Sequence, residues 1–199
     1  MITKNKDNNA VDNPNFIGSW NIDKNICKKI IEFYEKNDEL HTEGETAGGV
    51  DLNKKKSTDL TVYPKNLNLE THKDIKLYFE NLLLCYNSYR EEWPFLEEIF
   101  KEVDIGTFNI QKYNIGGHFS KIHSERTSLK NLHRLFAFMT YLNDDFEGGE
   151  TYFSHYDLKV TPEAGKTLIW PAEWTHAHKG EMIKKGSKYI ITGWLNIPI

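Results

Sequence analysis

Past Val103 the sequence breaks into short runs, each about one strand long and bounded by Gly, Asn or Asp. They are IGTFNIQKY, HRLFAFMTYLN, ETYFS, KTLIWP and KYIITGWLNI. Runs this short, rich in β-branched and aromatic residues, read as strands rather than helices. Closely spaced strands with turns between them point to two packed sheets or a barrel. The first half has another texture. Ile26, Ile30 and Phe33 or Tyr34 recur at helical spacing behind a capping Asp23, which predicts a helix over about 23–37. Residues 70–91 carry the strongest helical stripe, with Ile75, Tyr78, Phe79, Leu82, Leu83 and Tyr86 on one face, and Pro94 closes it. Between these helices, residues 40–62 are polar, hold three glycines and show no period, so they read as a long, lid-like loop. The expected class is mainly β with a helical N-terminal support, α+β overall. Residues 1–103 form the support, opening with a polar lead-in over 1–15, and 104–199 form the β core of one compact unit.

Composition removes several function classes. The chain has 199 residues, 39% of them hydrophobic, which is enough for one buried core. Net charge is −4, and no basic stripe of the kind that grips phosphates is present, so no nucleic-acid partner is expected. No apolar run reaches 18 residues, so no membrane partner is expected either. The start, MITKNKDNNAVDN, lacks the apolar stretch of a secretory signal. Cys27 and Cys85 lie among apolar helical neighbours and read as two reduced thiols. Together these features give the expectation of a cytoplasmic chain.

The residues that carry chemistry sit in two stretches. His123 and Glu125 are two apart in HFSKIHSERTS, and His176 and His178 are two apart in WTHAHKG. Residues two apart on an extended chain face the same side. An imidazole and a carboxylate on one side, joined by a histidine from the second stretch, make a two-His, one-carboxylate metal set with positions left open. Spacing alone leaves either late histidine as the third ligand. Lys188 lies in the strand-like run KYIITGW, where a lysine turned inward needs an anionic partner and one turned outward needs only water.

Five pieces in order carry a resemblance: QKYNIGGHF, the H-S-E triplet, AFMTYLNDDFEGGETYF, GKTLIWPAEWTHAHKG and KKGSKYIITGW. The block from about Thr107 to the C-terminus resembles the catalytic domain of prolyl 4-hydroxylase-like 2-oxoglutarate- and Fe(II)-dependent dioxygenases. The resemblance implies a double-stranded β-helix, the cupin-like jelly roll, with Fe(II) at its open end and 2-oxoglutarate as cosubstrate. It assigns His123, Glu125 and His178 as iron ligands, with His176 as the less favoured alternative to His178 and otherwise beside the substrate or behind the ligands. It assigns Lys188 to the distal carboxylate of 2-oxoglutarate, Tyr113 and Thr151 to hydrogen bonds around the cosubstrate, and Trp194 to the pocket wall. The family carboxylate is usually Asp, and Glu125 departs from that pattern. The implied reaction consumes O2 and hydroxylates an unactivated C–H bond, releasing succinate and CO2, with ascorbate as a further cofactor. Its implied substrate is a peptidyl proline or another protein side chain, with Trp170, Trp174 and Tyr152 near the site. A free amino acid or other small molecule is the alternative within the class. Outside it stand a metal-dependent isomerase and a non-catalytic jelly-roll binding module.

Overall fold

The computed structural model describes residues 2–4, 15–46 and 48–198. Two antiparallel sheets face each other. The larger follows the order Thr3–Lys4, Gly18–Asn21, Lys166–Pro171, Arg134–Tyr141, Lys188–Asn196, Phe108–Tyr113, Thr58–Val62 and His41–Glu43, with Asp104–Ile105 also paired to Lys188–Asn196. The smaller follows Leu158–Val160, Thr151–Phe153, His178–Gly180, His118–His123 and Lys55–Lys56. From Phe108 onward the chain crosses between the sheets repeatedly, which is the winding of a double-stranded β-helix.

The centre of the large sheet is buried on both faces, which explains why HRLFAFMTY reads as an unbroken apolar run. Along Arg134–Tyr141, Leu135, Phe136 and Phe138 join the core beneath the helices, while Ala137, Met139 and Tyr141 join the core between the sheets. The helix Lys73–Glu92 covers the outer face. Its Phe79 ring meets Phe108 at 4.5 Å and Phe138 at 5.9 Å, and Tyr89 meets Phe136 at 5.4 Å. The hydroxyls of Tyr78, Thr140 and Thr167 form a buried chain of hydrogen bonds at 2.9 and 2.7 Å, tying this helix to two central strands. The helix Lys24–Lys36 packs beside it, its first turn capped by Asp23, which accepts from the Asn25 N–H at 2.7 Å. Among the described residues no helix is long and apolar enough to cross a membrane.

Two expectations need correction. The first 103 residues are not purely helical, since Gly18–Asn21 and Thr58–Val62 are members of the large sheet. Nor is 40–62 a loop without structure: it holds His41–Glu43, the small hairpin Glu45–Thr46 with Gly49–Val50, Lys55–Lys56 and Thr58–Val62. Lys55–Lys56 and Thr58–Val62 pair with His118–His123 and Phe108–Tyr113, while the others pair within the segment, so ladder hydrogen bonds rather than apolar periodicity hold them. Within them Leu60 and Val62 alternate into the core. Of the lead-in, only residues 2–4 and 15 are described, and Thr3–Lys4 pairs with Gly18–Asn21.

Gly193 sits opposite Phe138 in the central strand pair. A methyl group there would stand 2.8 Å from both Phe108 Cβ and Phe138 Cζ. Gly193→Ala is therefore expected to lower unfolding free energy by about 1–3 kcal/mol, read as a lower urea midpoint. An unchanged midpoint would refute this account of the packing.

Candidate active site

Antiparallel pairing of His118–His123 with His178–Gly180 places His123 directly across from His178. Their ring centroids are 4.5 Å apart. Each ring is fixed by the same local device. His123 Nδ1 bonds the Lys121 carbonyl and His178 Nδ1 the His176 carbonyl, both at 2.9 Å. A carbonyl can only accept, so each Nδ1 carries a proton, and in the neutral ring Nε2 is then the nitrogen free to bind a metal. Glu125 follows the strand, its main-chain N–H donating to the Ala172 carbonyl at 3.2 Å. Its Oε1 lies 3.7 Å from His123 Nε2 and 3.5 Å from His178 Nε2. Burial, and next the neighbouring His123, push the His178 pKa down to about 4, so this ring is neutral at pH 7. Two imidazole nitrogens and one carboxylate oxygen, all within 4.8 Å of one another, fit a single divalent metal held from one side. The hydrogen bond behind each imidazole is the support that metal-binding histidines need.

His176 lies outside this trio. The expectation that His176 and His178 share a strand face fails because Trp174–His176 forms a 3₁₀ turn and the strand begins only at His178. The His176 ring turns away, its Nε2 bonding the Asn15 carbonyl at 2.8 Å.

A cleft of about 860 Å³ opens in front of the trio, lined from the large sheet by Tyr113, Met139, Lys188 and Trp194 and from the small sheet by Phe119 and Thr151. Lys188 points into it and is 3% exposed. Its ammonium donates to the Gly149 carbonyl at 2.9 Å and lies 4.7 Å from the centre of the Tyr113 ring. The GGE stretch explains this contact, since Gly148 and Gly149 take φ of 83° and 72°, a path that side chains resist. Among the described residues no carboxylate stands within ion-pair distance of Lys188. Burial pulls its pKa down to about 8, with Glu150 opposing. A buried cation whose neighbours are one carbonyl and one ring face is matched chemically to an anion.

The remaining expected residues are also on the cleft wall, with their polar atoms engaged. Thr151 Oγ1 bonds the Tyr141 hydroxyl at 2.6 Å. Tyr113 donates its hydroxyl to Gln111 Oε1 at 2.8 Å. Trp194 does more than pack: its indole N–H donates to Glu125 Oε2 at 2.8 Å. Sequence reasoning missed Arg134, stacked on Trp194, and the buried set Lys55, Asp59 and Gln111. Gln111 Nε2 donates to Asp59 Oδ2 at 2.9 Å, and Lys55 pairs with the same oxygen. Lys55 Nζ also lies 5.8 Å from the Phe119 ring, which stacks on His123 at 3.8 Å. The burial of a lysine in a KKK run gives no signal in sequence. Polar residues alternating with Leu60 and Val62 were the one available hint for Asp59.

Comparison with known proteins agrees with this geometry. Residues 108–196 match the model of the 2OG-Fe(II) oxygenase superfamily. Over 115 residues the chain is 28% identical to "Probable prolyl 4-hydroxylase 9" of Arabidopsis thaliana, covering 45% of this chain. The match spans two fifths of that relative, 40% of its length. Among solved structures, a viral collagen prolyl hydroxylase from Paramecium bursaria Chlorella virus-1, in its 2OG complex, aligns with TM-score 0.65 and 17% identity, over 95% of this chain and 99% of that one. A Pseudomonas putida prolyl-4-hydroxylase aligns at 0.68 and 13%, over 92% and 93% of the two chains. A Trichoplax adhaerens prolyl hydroxylase, in complex with a hypoxia inducible factor peptide fragment, aligns at 0.70 and 15%, over 92% and 84%. At these identities the structures establish a shared fold, the double-stranded β-helix.

Lys188 generates a stability signature. Its folded pKa of about 8 lies below the ordinary 10.5. Between those values the unfolded chain holds a proton that the folded chain has released. The stability contributed by this group therefore rises with pH across the window. Below pH 8 both states are protonated and the full cost of burying the charge is felt. The urea midpoint of the wild type, relative to Lys188→Met, is expected to climb from pH 7 to pH 10. A flat difference would show that Lys188 is not held as a buried cation.

Proposed function

We propose that this chain, whose residues 108–196 match the model of the 2OG-Fe(II) oxygenase superfamily, is an Fe(II)- and 2-oxoglutarate-dependent hydroxylase acting on a peptidyl prolyl or similar protein side chain. One observation carries the reading. The His123, Glu125 and His178 trio and the buried Lys188 ammonium face the same cleft. Bound Fe(II) with 2-oxoglutarate supplies the chemistry: activation of O2 and hydroxylation of an unactivated C–H bond, with release of succinate and CO2.

The chain's own residues supply position and exclusion. His123 and His178 would hold Fe(II) through Nε2 and Glu125 through Oε1, three protein ligands of the kind that leave room for a chelating cosubstrate. Lys188 takes the distal carboxylate of 2-oxoglutarate in a pocket where a charge pair is little screened by water. The Tyr113 ring and the Thr151 methyl shape the wall beside that carboxylate. Met139, Ile190 and Trp170 line the dry inner part of the cleft and keep bulk water from the reacting centre.

The outer cleft supports an extended substrate. One wall carries Glu45, Thr46 and Gly48 from the small hairpin, and the other carries Thr127, Ser128 and Asn131. Trp174 stands on the rim, 68% exposed, with its ring edge-on to His155. An exposed aromatic beside a polar groove suits a peptide with a ring-shaped residue at the reacting position. The names of the Arabidopsis relative and of the three solved neighbours point the same way.

The test is O2-dependent conversion of 2-oxoglutarate to succinate by the Fe(II)-loaded protein, with a panel of proline-containing peptides. His178→Ala is expected to abolish turnover, while His176→Ala retains it. Lys188→Ala is expected to raise the KM for 2-oxoglutarate by at least about 30-fold, the equivalent of about 2 kcal/mol. Equal KM values for wild type and Lys188→Ala would remove Lys188 from the cosubstrate site.

A further inference from the structure

The carboxylate of the trio is a glutamate, and the structure shows where its extra length goes. Glu125 Oε2 is held by the Trp194 indole N–H at 2.8 Å, which leaves Oε1 as the oxygen facing both histidines. Trp194 is itself fixed. The Arg134 guanidinium lies 3.4 Å from the centre of its ring, closer than most cation–ring pairs. Arg134 Nη1 also donates to the Glu125 main-chain carbonyl at 3.2 Å and stands 3.8 Å from Oε2. The two residues come from adjacent strands, Arg134–Tyr141 and Lys188–Asn196, whose register pairs Ala137 with Trp194.

We propose that Trp194 and Arg134 are positioning residues that make a glutamate workable as the metal carboxylate. The proposal rests on the metal-site reading above. The indole fixes Oε2, so that only Oε1 turns to the metal, and the guanidinium fixes the plane of the indole together with the main chain of Glu125. Without this clamp the additional rotatable bond of Glu leaves Oε1 spread over several rotamers, a freedom that metal binding must then remove. An aspartate at the same backbone position ends about 1.5 Å short, one carbon–carbon bond. Its carboxylate cannot span from the metal to the indole. The clamp therefore matters with Glu and is idle with Asp.

The test is a double-mutant cycle read as affinity for Mn(II) alone, by titration followed with electron paramagnetic resonance, so that turnover is not involved. The four proteins are wild type, Trp194→Phe, Glu125→Asp and the double variant. Phe keeps a ring beside Arg134 and removes only the N–H donor. Trp194→Phe is expected to weaken Mn(II) binding about 10–100-fold in the Glu125 protein. The same change is expected to matter by no more than about twofold in the Glu125→Asp background. Arg134→Lys, which keeps the charge and loses the planar face, is expected to weaken binding in the same direction and serves if Trp194→Phe does not fold. If Glu125→Asp binds no Mn(II), the decision rests on the Glu125 protein, where unchanged binding in both Trp194→Phe and Arg134→Lys would overturn the clamp and weakening in both would support it. Equal effects of Trp194→Phe in both backgrounds, or none in either, would overturn it. A wild type that binds no Mn(II) would instead overturn the metal-site reading, and the clamp with it.

Discussion

The strands Arg134–Tyr141 and Lys188–Asn196 have to satisfy two interfaces at once, and the rest of the molecule is arranged around that demand. One face must bury Phe136, Phe138, Ile191 and Leu195 under the helices. The other must hold Met139 and Ile190 in the inner core and still present Lys188 and Trp194 to the cleft. Past the irregularity at Arg134–Phe136, alternation along an extended backbone makes this possible, because each residue is committed to one face. A one-residue slip in register would exchange Lys188 with Tyr189 and drive an ammonium into the helix-side core. The aromatic packing of Lys73–Glu92 onto Phe108, Phe136 and Phe138 therefore does more than cover a sheet. It fixes the register on which the cleft depends.

Within the cleft, charge is distributed so that few groups compete. His178 is neutral because it is buried, Lys188 is removed from acidic neighbours, and the carboxylate of Glu125 has one oxygen committed to Trp194 and the other turned to the histidines. The trio and the lysine thus serve two chemically distinct parts of an incoming molecule. The trio suits a metal with its chelating ligand, and the lysine suits a remote anionic group. Lys55, on the edge strand of the small sheet, and Asp59, on Thr58–Val62 of the large sheet, form a separate buried pair. Through Gln111 and Phe119 they stand behind Tyr113 and His123.

Much of this was legible in the sequence, for physical reasons that differ by element. The two helices showed because an apolar stripe at helical spacing is long and redundant. The central strands showed because burial on both faces leaves an unbroken apolar run. The strands within 40–62 did not show, because they are short and polar and are held by ladder hydrogen bonds, some to each other and some to distant strands, which leave little trace in polarity. His123 and Glu125 could be placed on one side by alternation. The same argument could not separate His176 from His178, because it assumes an extended chain where the backbone turns. Trp194 was placed at the pocket by the family resemblance, but the aim of its N–H toward Glu125 depends on the rotamer. Arg134 looked like any charged residue at the start of a strand, and its stacking on Trp194 exists only once two strands are paired.

The partner of Lys188 is a peptide carbonyl, delivered by a turn that needs two consecutive left-handed residues. An acceptor of this kind belongs to the path of the chain and not to any replaceable side group. No change of side chain can convert it into a donor, but a side chain at Gly148 or Gly149 would strain the turn that delivers it. The electrostatic preference of this end of the cleft therefore depends on the backbone path that the two glycines allow. A lineage seeking a cationic or neutral guest would have to change the lysine itself or rebuild the turn. By contrast, the rim that meets the rest of the guest is made of exposed side groups, each free to vary alone. The architecture thus separates a heritable constant from a tunable surface, with the boundary between them falling within a single cavity.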